Sequence, residues 1–433
     1  MLEANLTIIA LLFFICSIYM LHLRFSMYGI IMLRILVIPL NKFPVPAVLG
    51  GAVETLIQYL VHENIKGRRI QLTVYSIDNP AARKAYSQFY KEAEIIYIKR
   101  TKLDDMWDKL WPANRAFLKV FKRLFAESPF IKRVYKDLRK KDFDYIVFEG
   151  NYYEKCGLFC RKIGRDKLII HWHEEMRGRR IHSEWFLKHI CVSNFVARIL
   201  ASTGYIRLND VFVLPNCVNI ELFSNPLPAV QRAELLVKYN LSDNDFIITF
   251  IGRTIPEKGT RELLLAFKEI CNTIDNCKLL IIGSTVQGYE WKTSYQEELE
   301  SIADRLRGKV IFTGFVHHDE MWKTLKLSNV GVVPSLCNEG AGMTTMEIMA
   351  ASIPLITFNV GGIPEYVDKN ASIILDWDKD IVQKLADSIL ALMKNQKNAK
   401  KMSELGYEHA RKFNLSKYYN DFCDLLYAID KET

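Results

Sequence analysis

Two acids frame a small-residue stretch, NEGAGMTTME (338–347), in which Glu339 and Glu347 stand eight positions apart. Gly340 and Gly342 permit tight backbone turns. If the chain turns into a helix near Thr344, the amides of Gly340, Ala341, Gly342 and Met343 would line a cradle suited to an anion. Glu339 precedes that turn and Glu347 falls about one turn inside the helix, so the carboxylates flank the cradle from both sides. Carboxylates accept hydroxyl protons well, which makes this a frame for a polyol at each end and an anion between. A nucleotide-sugar has that layout, its diphosphate joining a ribose to a sugar. Other uses exist for the same residues. Thr344-x-x-Glu347 spells a capping box, which needs no ligand, and Glu339 also reads as a solvated loop acid.

A second stretch, GRTIPEKG (252–259), follows an apolar run and opens a helical one. Arg253 and Lys258 put two cations at a helix mouth whose free N–H groups already favour anions. Arginine forks onto phosphate oxygens and lysine acts as a point charge, a pair suited to a diphosphate. In the first half, LIIHWH (168–173) ends in His171 and His173, which alternate along a strand and so share a face. Core histidines are the common case of this pattern. No third and fourth metal ligand follow at suitable spacing, so a metal centre is not expected. Asp142-Phe143-Asp144 precedes a strand instead of ending one and reads as surface.

These residues need a scaffold that brings strand ends together. From Arg34 the chain alternates short apolar runs with amphipathic stretches: RILVIPL (34–40), LTVYSI (72–77), EIIYIK (94–99), DYIVFEG (144–150), LIIHWH (168–173) and HICVSN (189–194). After VFVLPNCVNIELF (211–223) and the proline-bearing SNPLPAVQR, a second set runs FIITFIGR (246–253), KLLIIGS (278–284), KVIFTG (309–314), NVGVVPS (329–335) and PLITF (354–358). Continuous β-branched runs separated by helices predict buried parallel strands. The expected fold is α/β, two doubly wound Rossmann-like domains facing across a cleft, with each motif at a carboxyl strand end.

The Glu339-x7-Glu347 pair, with GRTIPEKG before it and IPLITFNVGGIPEYV (353–367) after it, strongly resembles the retaining glycosyltransferases of the GT-B fold, glycosyltransferase family 4. LGGAVETL (49–56) is similar to that family's first glycine-rich loop. VLPNCVNIELF resembles its interdomain PNGVD…F signature, with Cys217 and Asn219 where Gly and Asp are usual. The resemblance implies that Arg253 and Lys258 hold a donor diphosphate, Glu339 contacts the sugar, and Glu347 holds the ribose. It also implies that residues Gly340 to Thr344 support sugar and phosphate, that Gly50 and Gly51 close over the diphosphate, and that His173 lines the reaction centre. A hexose would pass with retained configuration from a nucleotide diphosphate sugar to a lipid-linked saccharide, without a metal or other cofactor, in the building of surface polysaccharide. An inverting transferase or a nucleotide-sugar epimerase shares the architecture but generally lacks the spaced glutamates. A non-catalytic sugar- or membrane-binding relative predicts losses among Arg253, Lys258, Glu339 and Glu347, and all are present.

The 433 residues suffice for two domains, half of them apolar and a quarter charged. The expected divisions are a membrane segment and linker (1–33), an acceptor domain (34–225), a linker (226–233), a donor domain (234–412) and a closing helix (413–433) that returns to the first domain. The nine cysteines are odd in number and scattered, without disulfide or zinc spacing, which fits a reducing compartment. Between Lys99 and Lys141 stand fourteen basic and five acidic residues, equal to the whole net excess of +9. WPANRAFLKVFKRLF (111–125) sets Ala113, Phe117, Val120 and Leu124 on one helical face, with basic residues beside it. Arg115, Lys119, Lys122, Arg123, Lys132 and Arg133 are therefore candidates for an anionic membrane surface. A core-packed helix with a solvated rim fits equally. Nucleic acid is not expected, since no recognition motif is present. Leu6 to Leu23, LTIIALLFFICSIYMLHL, is 18 residues long and almost free of charge. That is long enough to span a bilayer. Glu3 before it and Arg24 and Arg34 after it place the remainder on the cytoplasmic side of the cell membrane. A soluble start near Met32 and an interfacial helix are the alternatives.

Overall fold

The computed structural model describes residues 32–40, 43–107, 129–150, 156–176, 182–284 and 293–433. Among them lie two sheets in which every strand pair is parallel. The first comprises β1 (Arg34–Pro39), β2 (Gln71–Ile77), β3 (Glu94–Ile98), β4 (Tyr145–Glu149), β5 (Leu168–Trp172), β6 (Lys188–Cys191) and β7 (Val211–Val213), in the order β3-β2-β1-β4-β5-β6-β7. The second comprises β8 (Phe246–Ile251), β9 (Cys277–Ile282), β10 (Val310–Gly314), β11 (Val330–Val333), β12 (Leu355–Phe358) and β13 (Ser372–Leu375), in the order β10-β9-β8-β11-β12-β13. The strands read as unbroken apolar runs because helices cover both faces: Ile35, Val37, Ile248 and Val332 are fully buried.

Both orders reverse direction in the middle, between β1 and β4 and between β8 and β11. In open parallel sheets the crevice at such a switch point, beyond the carboxyl strand ends, is where ligands bind. The two crevices collect the sequence motifs: the Gly50–Gly51 turn after β1, Glu149 at the end of β4, Arg253 to Lys258 after β8, and Glu339 to Thr344 after β11.

Several elements depart from expectation. β7 and β13 are short edge strands, only partly buried, that the sequence pattern does not announce as strands. The stretch read as a linker carries the start of a helix, Ala229–Lys238, with Pro228 at its N-cap position. Proline there supplies a helix-compatible φ and lacks only an N–H that would go unused. The last helix, Leu415–Glu432, lies on Ala52–Gly67 of the first half. Tyr419 Oη accepts from Arg69 N and donates to Asn64 Oδ1, and the ring seats against Gly67, where a side chain would come within 2.9 Å of it. No helix among the described residues is long and apolar enough to cross a membrane. Leu6 to Leu23 lies outside those residues.

Candidate active site

In the second half, the loops after β8 and β11 interlock. Leu336 N donates to Glu257 O at 2.9 Å, and Gly259, with φ +69°, lies so close to Pro334 that a Cβ would stand 1.9 Å from its carbonyl oxygen. This contact presents Lys258 directly to Glu339: the ammonium and Glu339 Oε1 form an ion pair, and Ser335 Oγ donates to the same oxygen at 2.6 Å. An ammonium has three N–H groups, so this pairing leaves Lys258 able to meet a phosphate as well. Arg253 is exposed at the loop's start and makes no ion pair among the described residues. The Glu339 main chain is fixed from the far side by Gly362 N, which donates to Glu339 O at 2.8 Å. Gly361 takes φ +60° there, and a Cβ would stand 2.3 Å from that oxygen.

The helix after the cradle runs Met343–Ala350, with Gly342 at its N-cap in the left-handed region, φ +71°. Its first amides, with those of the preceding glycine turn, open on the crevice as a helix N-terminus does. Thr344 is not the cap, so the capping box does not form. Glu347, 4 % exposed, instead meets His318 Nε2 through Oε1 at 2.8 Å. That partner, 29 positions upstream, was absent from the sequence reading.

From the first half comes an unanticipated cluster. Glu149 at the end of β4 is buried between His171 and His173 of β5 and its end, with Oε2 2.7 Å from His173 Nε2 and 3.0 Å from His171 Nδ1. Burial alone would push this carboxyl up; the imidazole of His171, and then that of His173, outweigh it and bring it down to about 2. An ionised carboxylate only accepts, so His173 must carry its proton on Nε2. Burial, helped by His171, keeps the His173 ring below the usual histidine range. The sequence reading found no third ligand for these histidines, and tertiary structure supplies one. Glu149, His171 and His173 form a group of ligand atoms within 4.8 Å of one another. Their 2.7 and 3.0 Å separations are hydrogen-bond and ion-pair spacings. Ligands at about 2.0–2.1 Å around a tetrahedral zinc stand roughly 3.3 Å apart. The geometry is that of a carboxylate orienting an imidazole.

The two halves meet across these residues. A Cβ on Gly340 would lie 2.0 Å from His173 O, so only glycine lets the cradle touch the end of β5. Ser193 Oγ donates to Gly340 O at 2.7 Å, and Asn338 Nδ2 reaches both Glu175 oxygens at 3.3 Å. The Glu365 carboxylate takes Asn194 N, Asn194 Nδ2 and Phe195 N, at 2.7 to 2.9 Å, at the start of helix Asn194–Ser202. Gly50 (φ +77°) and Gly51 (φ +103°) turn the chain from β1 into helix Ala52–Gly67.

Elsewhere the outcome is mixed. Asp142 and Asp144 are tied to Arg34, where β1 and β4 begin, remote from the crevice. Arg133, a candidate membrane-facing cation, keeps its side chain 34 % exposed and pairs with Asp104, which is 1 % exposed and also accepts from Thr101 N and Oγ1. Lys132, beside it in helix Pro129–Leu138, is exposed. Arg115, Lys119, Lys122 and Arg123 lie outside the described residues.

Comparison with known proteins places this arrangement. Residues 231–409 match the family model described as glycosyl transferases group 1. A putative glycosyltransferase of Bacillus subtilis, YtcC, is 25 % identical over 394 residues, 86 % of this chain and 88 % of that protein. The lipopolysaccharide 1,2-N-acetylglucosaminetransferase of Salmonella typhimurium is 24 % identical over 261 residues, 58 % of this chain and 66 % of the enzyme. The crystal structure of Anabaena Alr3699/HepE in complex with UDP-glucose superposes with a TM-score of 0.70 at 16 % identity, covering 91 % of this chain and 100 % of that one. Residues 231–409 are thus similar to the glycosyl transferases group 1 family, and the whole chain carries the two-sheet GT-B fold.

Proposed function

We propose that this protein is a retaining, metal-independent hexosyltransferase that moves a sugar from a nucleotide diphosphate donor to a lipid-linked saccharide, at the cytoplasmic face of the cell membrane, in surface polysaccharide assembly. The observation that carries the reading is the meeting of Lys258 with Glu339 at one sheet's switch point, facing His173 from the other. Lys258, Arg253 and the amides of the Gly340–Thr344 turn neutralise charge as it develops on the departing diphosphate, which substitutes for a metal ion. Glu339 orients the sugar through its hydroxyls, and Glu347 takes the ribose. The acceptor oxygen forms its bond to the anomeric carbon on the face from which the diphosphate departs. The anomeric C–O bond breaks with its electron pair going to the diphosphate, and the acceptor's proton passes to a phosphate oxygen of that leaving group. His173, held by Glu149, positions the reacting groups.

The lipid-linked acceptor is supported by the Salmonella relative, whose name gives lipopolysaccharide as its substrate, by the apolar run Leu6–Leu23 and by the basic stretch around Lys119. The test is a panel of uridine, guanosine and thymidine diphosphate sugars offered to the purified protein with and without EDTA. Nuclear magnetic resonance then reads the anomeric configuration of the product. Turnover that survives EDTA, retains configuration and disappears in Lys258→Ala and Glu339→Ala is the expected result. Inverted product, or turnover indifferent to both substitutions, refutes it.

A further inference from the structure

The interdomain segment VLPNCVNIELF has no part in the chemistry above, yet it reaches the donor site. Asn219 Oδ1 accepts from Leu222 N at 3.0 Å and so caps the short helix Ile220–Ser224, the task that an aspartate at that position would perform. The cap orients Phe223, which is fully buried. Its ring meets His318 edge-on, with centroids 5.7 Å apart and an interplanar angle of 68°. His318 opens helix His318–Leu325 and holds Glu347 Oε1 at 2.8 Å. Burial disfavours its protonation, but the bond to Glu347 and that carboxylate's charge outweigh it and raise its pKa. A carboxylate so nearly buried needs such a partner. Its other oxygen, Oε2, carries no hydrogen bond among the described residues.

Resting on the donor reading above, we propose that His318 is a positioning residue for the donor's ribose. Braced by Phe223, it ties down one oxygen of Glu347 and leaves the other aimed to accept a ribose hydroxyl. The consequence is selection for ribonucleotide over 2′-deoxyribonucleotide donors, set by a residue from neither of the glycine-rich loops.

The test is calorimetric binding by the full chain of UDP, GDP and ADP, followed by the 2′-deoxy counterpart of whichever binds tightest. Wild type is expected to prefer the ribo form by about tenfold, the order of one hydrogen bond to a charged group. His318→Ala should lose about tenfold for the ribo form, keep its affinity for the 2′-deoxy form, and so bring their ratio near one. His318→Gln, whose amide nitrogen can still donate to Oε1, should restore much of the ratio. Phe223→Leu should erode it and serves as the second probe if the alanine variant does not fold. A wild type blind to the 2′-hydroxyl, or a His318→Ala protein that keeps wild-type ribo affinity or loses both forms alike, overturns the inference and leaves the donor reading standing. Absence of binding by wild type to every nucleoside diphosphate overturns the donor reading, and the inference with it.

Discussion

Glu149→Gln is the most informative single change, because it keeps the shape of a fully enclosed side chain and removes its charge. A carboxyl held near 2 instead of at its ordinary 4.5 is favoured in its ionised form by about 3 kcal/mol in the folded protein. Removing the charge should therefore destabilise the folded protein by up to about 3 kcal/mol, in full only where the imidazoles are protonated. The sign of the pH dependence follows from a depressed carboxyl. Its contribution is complete above the unfolded value, near 4.5, and drains away as pH falls toward 2. Urea unfolding followed by tryptophan fluorescence should show the variant less stable than wild type at pH 5.5, with the gap closing as pH falls through about 4.5 toward 2. Turnover carries a second signature. The His173 ring exchanges a carboxylate acceptor for an amide one or for its donating nitrogen, weakening a charge-assisted bond of about 1.5–3 kcal/mol. kcat should fall between about 10- and 100-fold, with the KM for donor little changed. Equal urea midpoints at pH 5.5, or a gap that widens as pH falls below about 4.5, would refute the argument that Glu149 is an ionised anchor between two imidazoles.

Lys258→Ala removes the ammonium from the proposed diphosphate site and strands Glu339. Steady-state kinetics should show kcat down by about 100-fold or more, and an unchanged kcat would contradict the role given to Lys258. Gly340→Ala forces a methyl against the His173 carbonyl where backbone lies on both sides; differential scanning calorimetry should register a loss of roughly 1–3 kcal/mol, and an unaltered transition would mean that the halves do not touch there. Charge reversal of Lys119, Lys122, Arg123 and Lys132 should abolish co-sedimentation with anionic vesicles, each basic residue contributing about 1 kcal/mol. Arg133→Ala should lower the melting temperature, since it strands the buried Asp104 carboxylate; an unchanged melting temperature would contradict a structural role for that pair.

The strands and turns of this molecule were legible because their signals are local. RILVIPL and FIITFIGR are continuous apolar runs, as a doubly covered parallel strand requires. The left-handed turns at Gly50, Gly51, Gly259 and Gly342 stand where glycine was written, and the Glu339–Glu347 spacing fixes which residues flank the helix start. The edge strands β7 and β13 escaped because they are only partly buried, unlike the inner strands.

What the chain alone could not disclose is who meets whom. Glu149 joins His173 because the order β1-β4-β5 lays the ends of two strands side by side. Lys258 reaches Glu339 across 81 positions because β8 and β11 are neighbours at a switch point. His318 finds Glu347, and Asp104 claims Arg133, through helices that pack together without any shared local pattern. Residue type and short spacing settle what a segment can become and which chemistry it can offer. Pairing between distant segments depends on sheet order and on buried charges finding partners, and those are properties of the packed whole.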